Sequence, residues 1–273
     1  MMKKNPFEEP SLESETAESL SAKLLATTTQ LIKANDELKR LEKERSEMLA
    51  NISHDLRAPI TAIRSAIDYL HSGKNLTKED LDSSLGLIDR RTRFLENLIQ
   101  DMYYLFCIED TSKELSLESI PAASFFEEYF YDAIVDTRYD AYQMHLDLDS
   151  HIIGSIKIDI QKIVRVLDNL FTNAAKYSPA DTDITLKCEL SEDSHFLFVK
   201  VIDHGVGIPA ENLPLLFNRT YTVSSARTPG SIGGTGLGLS IVKAIIERHQ
   251  GTVGCTSEEG KGSCFFFTLP YTP

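Results

Sequence analysis

The sequence predicts an all-helical N-terminal part followed by an α/β domain. Apolar residues repeat every seven positions from Leu20, which is typical of a coiled coil. A second apolar stripe at helical spacing follows a break after His71, which predicts a helical hairpin. Beyond residue 113, helical segments alternate with strand-like runs. We therefore expect a coiled coil and an antiparallel hairpin that forms a dimeric four-helix bundle, and then a helix-on-sheet domain.

The charge and composition exclude several classes of function. The 273-residue chain has a formal net charge of −13, whereas nucleic acids and anionic membranes bind clustered Lys and Arg. No apolar run approaches the ~18 residues that cross a bilayer, and the four cysteines show neither disulfide nor zinc spacing. We expect a soluble cytoplasmic chain that binds no nucleic acid, with any membrane attachment made by a region outside this sequence.

The first two segments are a tail and a heptad repeat. Residues 1–19 are acidic with few large apolar side chains, which predicts disorder. Residues 20–46 carry the heptad seam, which Thr27, Ala34 and Arg45 make imperfect. The leucines of the seam are Leu20, Leu24, Leu31, Leu38 and Leu41. The pattern predicts a parallel two-stranded coiled coil, and a long helix packed on its own domain is the alternative.

Residues 47–112 predict a hairpin of two helices that dimerises. The first helix continues from the coiled coil to His71 and breaks at Gly73-Lys74-Asn75. Thr77, followed three residues later by Asp80, offers the N-cap of the second helix. Its apolar stripe comprises Leu81, Leu85, Ile88, Leu95, Leu98, Met102 and Leu105. Because the two stripes are too wide to be covered within one hairpin, we expect a second copy to cover them.

His54 lies in the first helix of the hairpin, where three features favour a reactive role. The heptad puts Ile52 in the seam, so His54 faces outward. Asp55 can accept a hydrogen bond from one imidazole nitrogen and leave the other nucleophilic. Pro59 removes the hydrogen bond to the Asp55 carbonyl and predicts a bend. A solvated histidine beside an incidental proline kink is the alternative interpretation.

Residues 113–273 predict the α/β domain, joined to the hairpin by a short link. Helices are predicted at 122–138 and 160–176. Strands rich in β-branched and aromatic residues are predicted at 184–190, 196–202, 252–256 and 265–269.

The helix predicted at 160–176 has a polar face. Asn169, Asn173 and Lys176 lie within roughly 60° of one another on a helical wheel, away from the apolar side. An amide oxygen suits Mg²⁺, and a lysine suits phosphate oxygens. These residues favour a site for a phosphate compound with its metal, and an ordinary solvated helix face is the alternative.

Two glycine-containing segments follow this helix. Asp203 ends a predicted strand and leads into Gly205 and Gly207. Its carboxylate can accept a hydrogen bond from an exocyclic amine, and the glycines let the backbone approach a flat base. Residues 233–239 open a helix predicted to run through about residue 249, so backbone N–H groups can face a polyanion. A dinucleotide-binding interpretation of this loop fails because no strand immediately precedes it.

The string from Ser53 to Ile60 resembles the H-box of sensor histidine kinases, commonly S-H-E/D-L-R-x-P-L/I. The resemblance implies that His54 accepts a phosphoryl group and that Asp55 is its acidic neighbour. Many members have Thr or Asn four residues after the histidine, where it positions water for dephosphorylation of the response regulator. Ala58 stands there in this chain, which argues against strong phosphatase activity.

Four ordered motifs of the α/β part resemble the nucleotide-binding domain shared by histidine kinases, gyrase and the heat-shock chaperone ATPases. Residues 168–177 resemble the N-box, 203–209 the G1 motif, 216–217 the F-box and 234–239 the G2 motif. The resemblance implies a Bergerat-type α/β sandwich that binds ATP and Mg²⁺, with the metal held by Asn173. The residues that it places at the nucleotide are Asn169, Asn173, Lys176, Tyr177, Asp203, Gly205, Gly207, Phe217, Arg219, Gly234, Thr235, Gly236, Leu237 and Gly238.

Asn169 separates two branches of these ATP-binding proteins. The related ATPases place a glutamate at this position to activate water, and an amide cannot act as that base. The resemblance therefore implies an ATP-dependent protein histidine kinase, in which His54 is autophosphorylated and its phosphoryl group passes to an aspartate of a response regulator receiver domain. We expect a homodimer in a two-component signalling system. A related ATPase or serine kinase, and a nucleotide-sensing module without catalysis, are the alternatives.

Overall fold

The computed structural model describes residues 17–72, 76–110, 112–218 and 236–273. The chain divides into two units at residue 53, and the first helix, α1 (Ala17–His71), continues through the division. In the first unit, four leucines of the heptad seam are between 58% and 69% exposed, namely Leu20, Leu24, Leu31 and Leu38. One chain therefore leaves its own seam uncovered. The segment predicted to be disordered lies outside the described residues, except that α1 already begins at Ala17.

The second unit begins with the end of α1 and the helix α2 (Lys78–Glu109). A capping box starts α2, as predicted: Thr77 Oγ1 accepts a hydrogen bond from the Asp80 backbone N–H at 3.1 Å, and Asp80 Oδ2 accepts one from the Thr77 N–H at 3.0 Å. The predicted break at 73–75 lies outside the described residues. Among the described helices, none is long and apolar enough to span a membrane.

Among the described residues, seven strands form one mixed sheet in the order β1-β3-β7-β5-β4-β2, and β6 pairs with β7 beside this path. The strands are β1 (Glu118–Pro121), β2 (Gln143–Leu148), β3 (Ser155–Ile158), β4 (Asp183–Leu190), β5 (Phe196–Asp203), β6 (Val253–Glu258) and β7 (Gly262–Thr272). β2 and β4 are parallel, and all other paired neighbours are antiparallel. The long strand β7 pairs with β5 on one edge and with both β3 and β6 on the other.

Helices cover one face of this sheet and close the core. They are α3 (Ala122–Ile134), α4 (Ile160–Tyr177) and α5 (Gly238–Arg248), with short 3-10 helices η1 (Thr137–Tyr139) and η2 (Ala210–Leu215). Phe126 from α3, Phe171 from α4 and Phe267 from β7 are completely buried. Burying such apolar surface is the main favourable contribution to the stability of the domain.

The structure differs from the predicted elements in two places. The sequence does not predict β1, β2 and β3, because β1 and β3 have only four residues each and β2 carries no β-branched residue. The helix predicted at 122–138 ends at Ile134, because the Asp136 side chain accepts a hydrogen bond from the Arg138 N–H at 2.9 Å and starts η1 instead. The four predicted strands and the helices from 160 and 238 are present.

Candidate functional site

The polar face of α4 presents two amides and an ammonium group. The Asp159 side chain caps α4 by accepting a backbone hydrogen bond from its first turn at 3.3 Å. Asn169 and Asn173 are half-buried, one helical turn apart. Lys176 is exposed, and its Nζ donates to the Tyr177 hydroxyl at 3.1 Å. This face therefore offers an amide oxygen and a positive charge on the same side of one helix.

The turn after β5 lies against the C-terminal end of α4. Asp203 is only 4% exposed, and its Oδ1 accepts hydrogen bonds from the backbone N–H groups of Gly205 at 2.9 Å and Ser263 at 3.2 Å. Burial raises the pKa of Asp203 above its ordinary value, although these two bonds oppose the shift. The Val206 N–H donates to the Tyr177 carbonyl at 3.1 Å. A side chain at position 205 would collide with that carbonyl, so the close approach requires glycine.

The start of α5 lies against the same polar face. Leu237 is buried, and Gly238 begins the helix. A Cβ atom at Gly238 would lie 2.8 Å from Asn169 Oδ1, so a larger residue would displace this amide. The amide is fixed on its other side because Asn169 Nδ2 donates to the Arg165 carbonyl at 2.9 Å. Gly236, just before α5, has a φ of +70°.

The other residues that were predicted to bind the nucleotide have fewer described contacts with these segments. Gly207 turns toward the backbone of the β6–β7 hairpin, where a Cβ atom would collide with the Glu258 carbonyl. Phe217 is half-buried in the turn after η2. Arg219, Gly234 and Thr235 lie outside the described residues. The structure thus brings together three segments, namely α4, the turn after β5 and the start of α5. They meet through Asn169, Tyr177, Asp203, Gly205 and Gly238, and the role of each residue stays a prediction.

His54 is accessible and has an acidic neighbour. The His54 side chain is 72% exposed, and its Nδ1 lies 3.3 Å from Asp55 Oδ1. Pro59 is buried inside α1, which is one helix from Ala17 to His71. An imidazole whose Nδ1–H points at a carboxylate keeps a lone pair on Nε2, as a nucleophile requires.

Two family models match this chain. The first model, described as "His Kinase A (phospho-acceptor) domain", matches residues 44–111. The second model, described as "Histidine kinase-, DNA gyrase B-, and HSP90-like ATPase", matches residues 158–273. The chain belongs to the sensor histidine kinase family.

The relatives of this histidine kinase cover most of the chain. Sensor histidine kinase WalK of Bacillus subtilis is 33% identical over 238 residues, which are 86% of this chain and 38% of that relative. This kinase chain therefore spans well under half the length of the curated relative. Histidine kinase ThkA, in its complex with response regulator protein TrrA, has a TM-score of 0.66 and 25% identity, covering 89% of this chain and 67% of that one. The fold of Acinetobacter baumannii histidine kinase AdeS gives a TM-score of 0.58 at 24% identity, covering 80% and 97%.

Sequence reasoning missed a polar junction in this kinase. His249 follows α5 and is 4% exposed. Its Nε2 accepts a hydrogen bond from the Asp159 backbone N–H at 3.0 Å, so the ring proton resides on Nδ1. This Nδ1–H donates to the Ile245 carbonyl at 2.8 Å. Burial lowers the pKa of His249. Nearby, the Arg165 guanidinium of α4 pairs with the Asp101 carboxylate of α2. These partners are far apart in the sequence, so no local pattern predicts them.

Proposed function

We propose that this chain is the catalytic core of a two-component system that binds Mg-ATP, phosphorylates His54 and passes the phosphoryl group to an aspartate of a response regulator. The observation that carries the proposal is the convergence of separate motifs on α4. Its polar face meets the start of α5 at Asn169, and its C-terminal end meets the turn after β5 at Tyr177. Membership of the histidine kinase family supports the same activity.

Adenine recognition is assigned to Asp203. Both hydrogen bonds from described residues reach Oδ1, and no described donor reaches Oδ2. Oδ2 can therefore accept a hydrogen bond from the exocyclic amine of adenine, in a buried position where water competes little. The neighbouring Gly205 lets the turn pack against the Tyr177 carbonyl and so helps to hold this carboxylate in place.

The phosphate groups and Mg²⁺ are assigned to the polar face of α4. Within the described ranges, no group of three or more His, Cys, Asp or Glu can hold a metal ion. Mg²⁺ commonly takes only one or two protein ligands and completes its shell with phosphates and water. The amide oxygen of Asn173 fits that single role, and Lys176 supplies a charge for the phosphates. When bound, Mg²⁺ neutralises the charge that develops on the transferred group.

Phosphoryl transfer is directed to His54. Asp55 holds the imidazole in the tautomer that leaves Nε2 free for in-line attack. Asn169 stands where the related ATPases carry a glutamate, and an amide does not abstract a proton from water. The residues therefore favour transfer to histidine over ATP hydrolysis.

The partners follow from the same assignment. ThkA was solved in complex with a response regulator, and we propose a receiver domain as the partner of this chain.

We propose three functional regions within the chain. Residues 20–46 would form the coiled-coil signal helix, residues 47–112 the dimerisation and phosphotransfer domain of a homodimer, and residues 113–273 the ATP-binding domain. Ala58 places no hydrogen-bonding side chain one turn after His54, so regulator dephosphorylation should be weak. We propose a cytoplasmic location for this region.

Replacing Asn173 tests the nucleotide site directly. Asn173→Ala removes the proposed metal ligand, and we expect Mg-ATP affinity measured by calorimetry to fall about tenfold or more. Asn97→Ala, at an exposed position of α2, is the matched control and should keep the parent affinity. Unchanged affinity in Asn173→Ala would contradict the assignment of this residue.

A further inference from the structure

A cavity lies beside α4, on the side away from the proposed nucleotide face. It is bounded by α3, η1 and the first half of α4 and has a volume of about 620 Å³. Small-molecule sites commonly measure roughly 300–1,000 Å³, so the cavity is large enough for a ligand of that class. From α4 it is lined by Ile160, Val164 and Asp168, which form one stripe of the helix. On a helical wheel this stripe lies roughly 150° from Asn169, Asn173 and Lys176.

Aromatic and aliphatic side chains form much of the cavity wall. Phe125 and Tyr129 contribute from α3, Tyr139 from η1, and Ile160 and Val164 from α4. One of these rings already receives a cation, because the guanidinium carbon of Arg138 lies 5.3 Å from the centroid of the Tyr139 ring. A ligand with a flat apolar body would bury its surface against this wall.

The charges of the wall are strongly unbalanced. Four carboxylates line the cavity, from Glu128, Asp132, Asp136 and Asp168, against the single guanidinium of Arg138. The Arg138 guanidinium already forms an ion pair with Asp136, because its Nε and Nη2 donate to Asp136 Oδ2 at 2.8 and 2.6 Å. Three negative charges therefore have no ion pair among the described residues. Such a wall attracts a cation and repels an anion.

A buried hydroxyl positions one of these carboxylates. Tyr129 is 8% exposed, and its hydroxyl donates to Asp168 Oδ1 at 3.1 Å. This hydrogen bond holds the Asp168 carboxylate at the cavity.

We propose that this cavity binds a small organic cation, an amine carried on a flat apolar body. The aromatic wall takes the apolar body, and the carboxylates of Glu128, Asp132 and Asp168 take the ammonium group. The site is separate from the proposed nucleotide site and does not depend on kinase activity.

The binding test uses 1-naphthylmethylamine as the cationic probe and 1-naphthylmethanol as its neutral match. The chain contains no tryptophan, so naphthyl fluorescence anisotropy can be followed on the full chain without that background. We expect the amine to bind saturably and at least about fivefold more tightly than the alcohol, since a charge pair at a partly exposed site contributes up to about 1 kcal/mol. Equal affinity of the two probes, or no saturable binding of the amine, would overturn the proposal.

Two variants of α3 locate the bound amine. Asp132→Asn removes a carboxylate of the cavity, and Glu127→Gln removes one from the same helix outside it. Affinity for the amine should fall about threefold to fivefold in Asp132→Asn and stay unchanged in Glu127→Gln. Equal losses in both variants would show nonspecific attraction to an acidic chain and would overturn the site. Circular dichroism of both variants checks that the fold is retained.

Discussion

At the scale of single residues, Asp203 shows how burial prepares a carboxylate for recognition. Asp203 is the last residue of β5, and its side chain is buried in the interior. Burial disfavours the ionised form and so raises the pKa of this carboxyl group. Two backbone N–H groups hold Oδ1, and the orientation of Oδ2 is thereby fixed. A group whose pKa is raised by folding stabilises the protein at low pH and loses that contribution as the pH rises. Ionising this buried carboxyl group therefore costs folding free energy, and such costs are common at functional sites.

The variant Asp203→Asn separates recognition from stability. An asparagine Oδ1 can still accept both backbone hydrogen bonds, but its Nδ2 cannot accept one from the amine of adenine. We expect thermal stability at neutral pH to equal or exceed that of the parent, and ATP affinity to fall about tenfold or more. Both are measurable by calorimetry.

Purine riboside triphosphate, which lacks the exocyclic amine, provides the control ligand for Asp203. The parent protein should prefer ATP to this analogue, and Asp203→Asn should lose the preference. A variant that still discriminates between the two nucleotides would show that another group reads the amine. The exposed Asp82→Asn variant of α2 controls for the lost charge.

At the scale of elements, three helices meet through the polar side chains of the buried His249 and the partly exposed Arg248. His249, at the end of α5, accepts the backbone N–H of Asp159 at the start of α4. Arg248 donates to the carbonyl of Ile108 at the end of α2 at 3.0 Å, and also to that of Lys113 in the following link. Helix ends leave unpaired backbone groups, and these side chains satisfy several of them. The junction therefore fixes the base of α4 and α5, the helices that carry the proposed nucleotide residues.

The buried imidazole of His249 should make stability depend on pH. Because folding lowers its pKa, the folded state keeps it neutral at a pH where the unfolded chain already binds a proton. Stability should then fall as the pH drops below about 6.5, by up to about 1.4 kcal/mol per pH unit for one proton. His249→Gln removes the titrating group, so its free energy of unfolding should depend less on pH over pH 5 to 6.5. Urea denaturation at several pH values measures this slope.

The exposed His195→Gln variant is the control for the pH experiment. It removes a histidine from the turn between β4 and β5 and leaves the junction intact. If His249→Gln and His195→Gln show the same pH slope, the junction does not account for the acid sensitivity.

At the scale of the whole molecule, one chain leaves large apolar surfaces uncovered. On the hairpin, Ile60 is 53% exposed, Leu85 51% and Ile99 57%. Large apolar side chains left exposed on these helices are typical of an interaction face. A second copy that completes a four-helix bundle would cover it, as proposed for the homodimer.

Placing a charge on this face should separate the proposed dimer. Leu85→Asp puts a carboxylate where a partner helix is expected, so light scattering should show a shift from dimer to monomer at micromolar concentration. Ser83→Asp, two residues earlier on the exposed surface of α2, should remain dimeric. A dimer that persists in Leu85→Asp would contradict this face as the interface.

The sequence predicts the parts of this molecule that depend on local patterns. The heptad repeat and the Thr77 capping box are visible within a few residues, and the structure has helices in both places. Strands of four residues such as β1 and β3 are too short to show a periodicity. The pair of Asp101 and Arg165 joins residues 64 positions apart, and only the folded chain brings them together. The cavity beside α4 is likewise a product of packing between α3 and α4.

The most direct test of the central proposal is acid-labile labelling of His54. The purified chain is incubated with Mg²⁺ and γ-labelled ATP beside the His54→Gln variant, and both are challenged with acid and then with a receiver domain. We predict acid-labile label on the parent chain alone, which passes to the receiver domain. Label that persists in His54→Gln, or no label although ATP is bound, would contradict the proposed histidine kinase activity.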